Sequence, residues 1–389
     1  MGFWKDIRAV IHRELLILAS RPLYLMGSVV TMAFCMVFCL TFFRDGLPHD
    51  LPIAVVDNDN SSLSRNFIRQ LDATQLGEAI RFESFTEARR AMQSGKVTSV
   101  IVLPKGMADR VQSQCQPQIE YYLNGLYFVG GALAYKDILM MINLANGAYQ
   151  REILRMKGYS DEAIMGLIQP IVVDTHQIGN AYTNYGYYLT NVLLPGFLEL
   201  IIIIVMIYSI GMELKYGTSR QLMKTAGNSV VKALLGKIIV ATLVFTLLGI
   251  ILMLTLYQWM HFPISGSIWN MFLGIFLLVL ASEAIGITII GFLPVPRLAL
   301  SVGALYSVLA CSLSGFTMPL EAMSPWIQGL GAAFPLRHYY LFYVQEVVFG
   351  AGFAGWWKEV IYLLLFLFVP MVILPRLKNA FIYQNYPKE

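Results

Sequence analysis

Charge is scarce in this 389-residue chain, cysteine is scarcer, and most short motifs that carry enzymatic or metal chemistry are missing. Only 13% of residues are Asp, Glu, Lys or Arg, against roughly 25% in soluble domains. By contrast 57% are hydrophobic, and the mean hydropathy is +0.61. A net charge of +4 is too small to select nucleic acid, so the placement of Lys and Arg matters more than their excess. Cys35, Cys39 and Cys311 lie in apolar runs and Cys115 stands alone in the long polar stretch, which therefore holds no internal disulfide. Cys35 and Cys39 share a helix face without His or carboxylate company and read as packing residues. The five histidines (His12, His49, His176, His261, His338) are scattered, and neither His-x-x-x-His nor Cys-x-x-Cys occurs, which argues against a metal site. The phosphate loop G-x-x-x-x-G-K-[ST] is absent too, since Gly95-Lys96 and Gly236-Lys237 are followed by Val97 and Ile238. Nucleotide-driven work would need an engine on another polypeptide, and no cofactor is predicted on this one.

What the chain has is apolar runs of bilayer-spanning length, at 22–43, 187–212, 238–260, 268–293, 298–320 and 360–375. The first follows Arg21, ends at Arg44 and comes after a full amphipathic segment, too late and too long for a cleaved signal peptide. The last is short and leans on Trp356–Trp357 at the interface. Lys5, Arg8, Arg13 and Arg21 precede the first run, and Lys215, Arg220, Lys224, Lys232 and Lys237 lie between the second and third. Arg297 sits between the fourth and fifth, Arg376 and Lys378 follow the sixth, and the loop 258–267 has no Lys or Arg. The positive-inside rule then puts both termini in the cytoplasm and residues 44–186 outside.

Residues 1–21 collect Phe3, Trp4, Ile7, Val10, Ile11, Leu15 and Leu18 on one helical face, as in a helix lying in the membrane interface. The 44–186 stretch reads as α/β: buried strands at 51–57, 97–103 and 118–123, with a capped helix after Asn60-Ser61-Ser62 carrying Leu63, Phe67, Ile68 and Leu71. A second helix covers 87–94 and stops at Gly95, and Pro104 opens a third. Residues 129–156 are helical, fit for a stalk toward the membrane, and 171–178 reads as a returning strand. Asp57, Asp59 and Ser61 fit a strand-to-helix loop better than a catalytic or cation site, because the EF-hand spacing is absent. Two carboxyls interrupt apolar runs, Glu199 and Glu283; each costs about 2.5–3.5 kcal/mol in mid-bilayer and must face protein or water. They either line a pathway or are held by neighbouring helices. The 318–357 stretch, with Glu321, Arg337 and Glu346 and breaks at Pro319, Pro325, Pro335 and Gly350–Gly355, predicts two short helices dipping into the outer leaflet at an exit gate.

Three motifs carry a resemblance. The first is the loop with Glu213, Gly217, Thr218, Gln221, Leu222 and Thr225, closing at Gly236-Lys237; the second is Ser314-Gly315-Phe316-Thr317-Met318-Pro319 with Glu321, Pro325-Trp326 and Phe334-Pro335-Leu336-Arg337. The third is Val55-Val56-Asp57-Asn58-Asp59-Asn60-Ser61. In this order the chain resembles type-2 ABC transporter permeases of the drug-exporter-like subgroup with a large extracytoplasmic domain. The resemblance implies a membrane all-α fold of six transmembrane helices, an N-terminal interfacial helix, two re-entrant helices and an inserted extracytoplasmic α/β domain. It also implies a coupling loop at 212–232, in which Glu213, Gly217, Thr218, Gln221, Leu222 and Thr225 meet the ATPase; the residues' own placement makes Glu199, Glu283, Pro319, Glu321, Pro335 and Arg337 the candidates for a pathway or gate. Physically, Gly217 permits a sharp turn, Thr218 caps a short helix, and Leu222 with Met223 offers apolar contact surface.

Such a subunit sits in a bacterial inner membrane and exports hydrophobic or amphipathic molecules. Its partners are ABC ATPase subunits, which hold the ATP and Mg, a second permease copy (identical or a paralogue), membrane lipid and a periplasmic adaptor; nucleic acid is not among them. A receptor with an external sensing domain is the main alternative, but the inner tails and loops are too short for an output domain. A secondary transporter lacks the repeated half with interrupted spans, and a membrane hydrolase lacks a constellation.

Overall fold

The computed structural model describes residues 2–20, 23–47, 49–75, 77–113, 115–125, 128–180 and 184–383; Arg21 and Pro22, at the predicted boundary between the interfacial helix and the first span, lie outside the described residues. Two compact units form, Met1–Arg44 with Gln177–Glu389, and Asp45–His176.

The first unit begins with α1 (Phe3–Ser20) and α2 (Leu23–Phe42). Helix α2 turns Met32 and Cys39 inward and leaves Phe34, Phe38 and Phe42 stacked along its exposed side, as a lipid-facing helix does.

The second unit follows as β1 (Leu51–Asp57), α3 (Ser62–Asp72), β2 (Gly77–Phe82), α4 (Phe85–Gln93), β3 (Ser99–Leu103), α5 (Met107–Gln112), β4 (Glu120–Leu123), α6 (Phe128–Met156) and α7 (Asp161–Ile168). The sheet order is β2-β1-β3-β4, parallel except for the β3–β4 pair. Strand β1 is apolar throughout its middle because both its faces are covered. Ile53 and Val55 pack with Phe67, Ile68, Leu71 and Ile138, while Ala54 and Val56 meet Ala88 and Ala91. Three expectations change here. Strand β2 was not predicted, because an edge strand with Glu78 and Arg81 carries only a weak apolar signal. Helix α5 starts at Met107 behind Gly106, not at Pro104. Residues 171–178 form no strand; Ile171, Val172 and Val173 are exposed in irregular chain.

The Asp57–Ser64 turn is structural. Asp57 accepts from the Asp59 and Asn60 amides and from the Ser64 hydroxyl, while Ser61 and Ser64 close a capping box on α3. Asp59 accepts from the Met107 and Ala108 amides at 2.9 and 3.2 Å, fastening this turn to α5.

The first unit resumes with α8 (Tyr185–Lys215), α9 (Ser219–Thr225), α10 (Val230–Leu254), α11 (Ile268–Phe292), α12 (Pro296–Leu313), α13 (Pro325–Gly331), α14 (Pro335–Tyr343), α15 (Gly352–Phe366) and α16 (Leu374–Tyr383). Among the described residues five helices are long and apolar enough to cross a membrane: Tyr185–Lys215, Val230–Trp259, Ile268–Phe292, Pro296–Leu313 and Gly352–Tyr383. Met26–Phe42 is a shorter apolar helix. A π turn, Thr255–Trp259, extends α10, and a 3-10 turn, Val369–Ile373, joins α15 to α16. Helix α8 is the hub, buried along most of its length between α2, α11 and α12. Small residues permit this: a Cβ on Gly286 of α11 would fall 2.8 Å from Met206, and one on Gly303 of α12 would fall 2.6 Å from Ile207. Helix α12 ends at Leu313, short of the predicted 320, because Gly315 takes φ +102° and redirects the chain. Glu346, in a π turn after α14, accepts from the Ser267 amide (2.7 Å), Asn270 Nδ2 (2.8 Å) and Trp356 Nε1 (2.7 Å), pinning the 265–270 loop to α15.

A hydrogen bond from Ser61, aided by the Met107 and Ala108 amides, holds the Asp59 carboxyl below its ordinary range. Its stabilisation is therefore present above an unfolded value of about 4 and is lost as pH falls through the lower folded value. Asp59→Ala in the full chain should accelerate hydrogen exchange at the Met107 and Ala108 amides and destabilise the unit by about 1 kcal/mol at neutral pH; amide exchange followed by mass spectrometry from pH 7 downward checks both.

Candidate coupling site

At the end of α8 the chain turns through Gly217, at φ +70°, into α9. Glu213 lies one turn before this corner and is the centre of a buried ionic group. Arg13 grips it with both amino nitrogens, Nη1 to Oε1 at 2.7 Å and Nη2 to Oε2 at 3.0 Å. Thr218 Oγ1 donates to Oε2 at 2.5 Å and Lys237 Nζ to Oε1 at 3.3 Å. Lys237 is only 3% exposed and also donates to Glu14 at 2.9 Å and Ser209 at 3.2 Å, and Arg13 closes the ring with Glu14 at 2.9 Å. Burial works against the Arg13 charge, but the contacts with Glu213 and Glu14 outweigh it and hold its pKa above the ordinary value. Two cations and two anions thus join α1, α8, α10 and the α8–α9 corner. Removing one partner leaves buried charge uncompensated, at a cost of about 3–5 kcal/mol.

Around this group α1 is bolted to the start of α10. Lys232 pairs with Asp6 at 2.7 Å and lies over the Phe3 ring, and Gly236 lets Val10 approach the helix directly. Helix α9 is tied to α16 by Ser219 Oγ donating to the Phe381 carbonyl (2.9 Å) and Arg220 Nε to the Ile382 carbonyl (3.2 Å).

The predicted coupling residues divide. Glu213 and Thr218 meet in the ionic group, although the Thr218 hydroxyl serves Glu213 instead of capping α9. Gly217 makes the turn, Gln221 is exposed, and Thr225 bonds back to the Gln221 carbonyl. Leu222 and Met223 are buried in the protein's own core, so the apolar contact surface expected of them is already used; Arg220, Gln221 and Lys224 form the outward face of α9. Asp6 and Glu14 were not singled out from the sequence. Their signal was present: two acids eight residues apart lie on one helix face, in a segment whose bases the charge rule already explains.

The predicted gate residues lie around α12–α14. Pro335 opens α14 at its first position and Pro319 precedes a 3-10 turn, Leu320–Ala322. Arg337 donates to the Ser314 carbonyl at 3.4 Å and approaches Glu321 at 3.6 Å, a loose contact because Glu321 is 75% exposed. His338 is buried with Nδ1 2.8 Å from Glu359 and Nε2 3.0 Å from the Ala332 carbonyl. Glu199 is fully buried below α14, facing the Leu336 amide and the side chains of Tyr306 and Cys311, and neither oxygen has a hydrogen-bond partner among the described residues. Glu283, on the opposite side of the hub, meets Thr242 at 2.7 Å through one oxygen while the other is unpaired. The two carboxyls face different helices and are not brought together. No group of three His, Cys, Asp or Glu residues converges on a metal position among the described residues.

No curated protein matches the chain. The family model described as ABC-2 family transporter protein matches residues 23–374, nearly all of the sequence, from the start of α2 to the first residue of α16. The chain accordingly belongs to the ABC-2 transporter family: it is a multi-pass membrane transport subunit of an ABC transporter, the kind of chain that works with an ABC ATPase.

Proposed function

We propose that the chain is the permease of an ATP-driven exporter, moving a hydrophobic or amphipathic substrate outward across a bacterial inner membrane. The observation that carries this reading is the Glu213–Arg13–Lys237–Glu14 group: a push on α9 is handed through the Gly217–Thr218 corner to α1, α8 and α10 at once. In this reading α2 and the five long helices are six spans, both termini and α9 are cytoplasmic, and α1 lies in the inner interface. The Lys and Arg residues at α1, around α9 and at α16 support that orientation. The Asp45–His176 unit then faces outward, where it docks a periplasmic adaptor or guards the exit, and α13 and α14 are the re-entrant pair above the pathway.

Six spans are few for a whole pathway, so two copies, or this chain and a paralogue, enclose it. ATP and Mg bind the partner ATPase, whose closure presses on the outward face of α9 and tilts the spans. Glu199 and Glu283 belong to the moving part: carboxyls without full satisfaction in one arrangement gain partners or water in the other.

Three measurements test this. Gln221→Cys should cross-link to a co-purified ABC ATPase while Leu222→Cys should not, and absence of any ATPase from the purified complex overturns the reading. In a cycle of Arg13→Ala and Glu213→Ala, the double variant should lose less thermal stability than the sum of the singles, by about 1–3 kcal/mol, read from unfolding in detergent. Glu199→Gln and Glu283→Gln should alter export at normal membrane levels; unchanged export in both removes them from the mechanism.

A further inference from the structure

The ionic group is also the floor of a cavity of about 330 Å³ lined by α1, α2, α8 and α10 and, at the α8–α9 corner, by Thr218 and Gln221, within the range of small-ligand sites. One end is polar, with Arg13, Glu14, Glu213 and Lys237; the other is apolar, with Val205 and Met206 on α8 and Val244 and Phe245 on α10. From Glu213 back to Val205, and from Lys237 on to Phe245, is eight residues, a rise of about 12 Å along a helix. A headgroup layer is about 5–8 Å thick, so a cavity of this depth runs from headgroup level into hydrocarbon. Helix α1, which roofs the polar end, also exposes Leu15 and Leu16, as an interfacial helix touching acyl chains does.

The charges on the floor sum to zero and both signs line the space. A purely anionic head would meet Glu14 and Glu213, and a purely cationic one would meet Arg13 and Lys237. A head bearing one phosphate and one ammonium can place each beside its opposite without unbalancing the group. We propose that this cavity is a binding site for one zwitterionic phospholipid, whose head rests on the Arg13–Glu14–Glu213–Lys237 floor and whose first acyl carbons fill the space between α2 and α10. Filled, the cavity completes the seam that holds α1 against α8 and α10. The inference depends on the membrane placement of these helices and not on the direction of transport.

The test uses the purified full-length protein, delipidated and then offered phosphatidylethanolamine or anionic phosphatidylglycerol, with bound lipid counted by native mass spectrometry. One phosphatidylethanolamine per chain should be retained, at least tenfold in preference to phosphatidylglycerol. Ala241→Phe, which fills the cavity one turn beyond Lys237 without touching the four charges, should lose it; Leu247→Phe, on the exposed side of α10, should not. Because Ala241→Phe risks misfolding, a photoactivatable phosphatidylethanolamine is also applied to the unsubstituted protein. Labelling at Ile17, Ala241 or Val244 supports the site. Equal retention of the two lipids, retention by folded Ala241→Phe, or labelling confined to exposed Leu243, Leu247 and Ile251 overturns it.

Discussion

Charges buried among apolar helices must find opposite charges, and among the described residues that requirement gathers most ions where Glu213 lies between Arg13 and Lys237. The three residues come from helices far apart in sequence, so none of those helices can take its observed position alone. Helix α1 supplies Arg13 and Glu14, α8 supplies Glu213, and α10 supplies Lys237; detaching any one leaves buried charge without its full complement of partners. The turn at Gly217 and the short helix after it inherit this constraint, because Thr218 bonds to the same carboxylate and Leu222 and Met223 pack inward.

The other buried carboxyls show how differently the same difficulty is solved elsewhere. Glu346 is surrounded by three neutral donors and acts as a fastener between loop and helix. Glu359 takes its partner from His338, which spans from α15 to the carbonyl end of α13. Among the described residues Glu199 has no ion pair and only the Leu336 amide facing it, and Glu283 has one neighbour for two oxygens. Groups left short of partners in a structure that otherwise satisfies its buried acids mark places where a second arrangement has something to offer. That contrast, rather than their position in apolar runs alone, is the reason to place Glu199 and Glu283 in the moving part of the permease.

The cavity above the ionic floor follows from the same geometry. Two acids and two bases from three helices meet at one end of the cavity, and one turn beyond Lys237 the small side chain of Ala241 leaves room that larger residues would fill. A lipid suits such a gap because it has the same polarity gradient.

Much of this was legible in the residues themselves. Runs of apolar residues announce membrane helices because lipid gives backbone groups no partner outside a helix, and β1 and β3 were readable because strands covered on both faces are apolar throughout. Edge strand β2, the late start of α5 and the irregular course of 171–178 were not, because edge pairing and loop geometry depend on neighbours that a local window does not contain. The 212–232 loop was singled out by its motif, yet which of its residues turn inward was settled only by packing: Leu222 looked like a contact residue and is core. The sequence by itself determined the membrane class and the α/β character of the unit that follows the first apolar run, since these rest on local periodicity and composition, while the family was legible only as a resemblance of motifs that the family-model match bears out. Only the tertiary structure decided that Arg13 and Glu14 belong with Glu213 and Lys237, because pairing across some two hundred residues is a property of how helices pack and leaves no local trace.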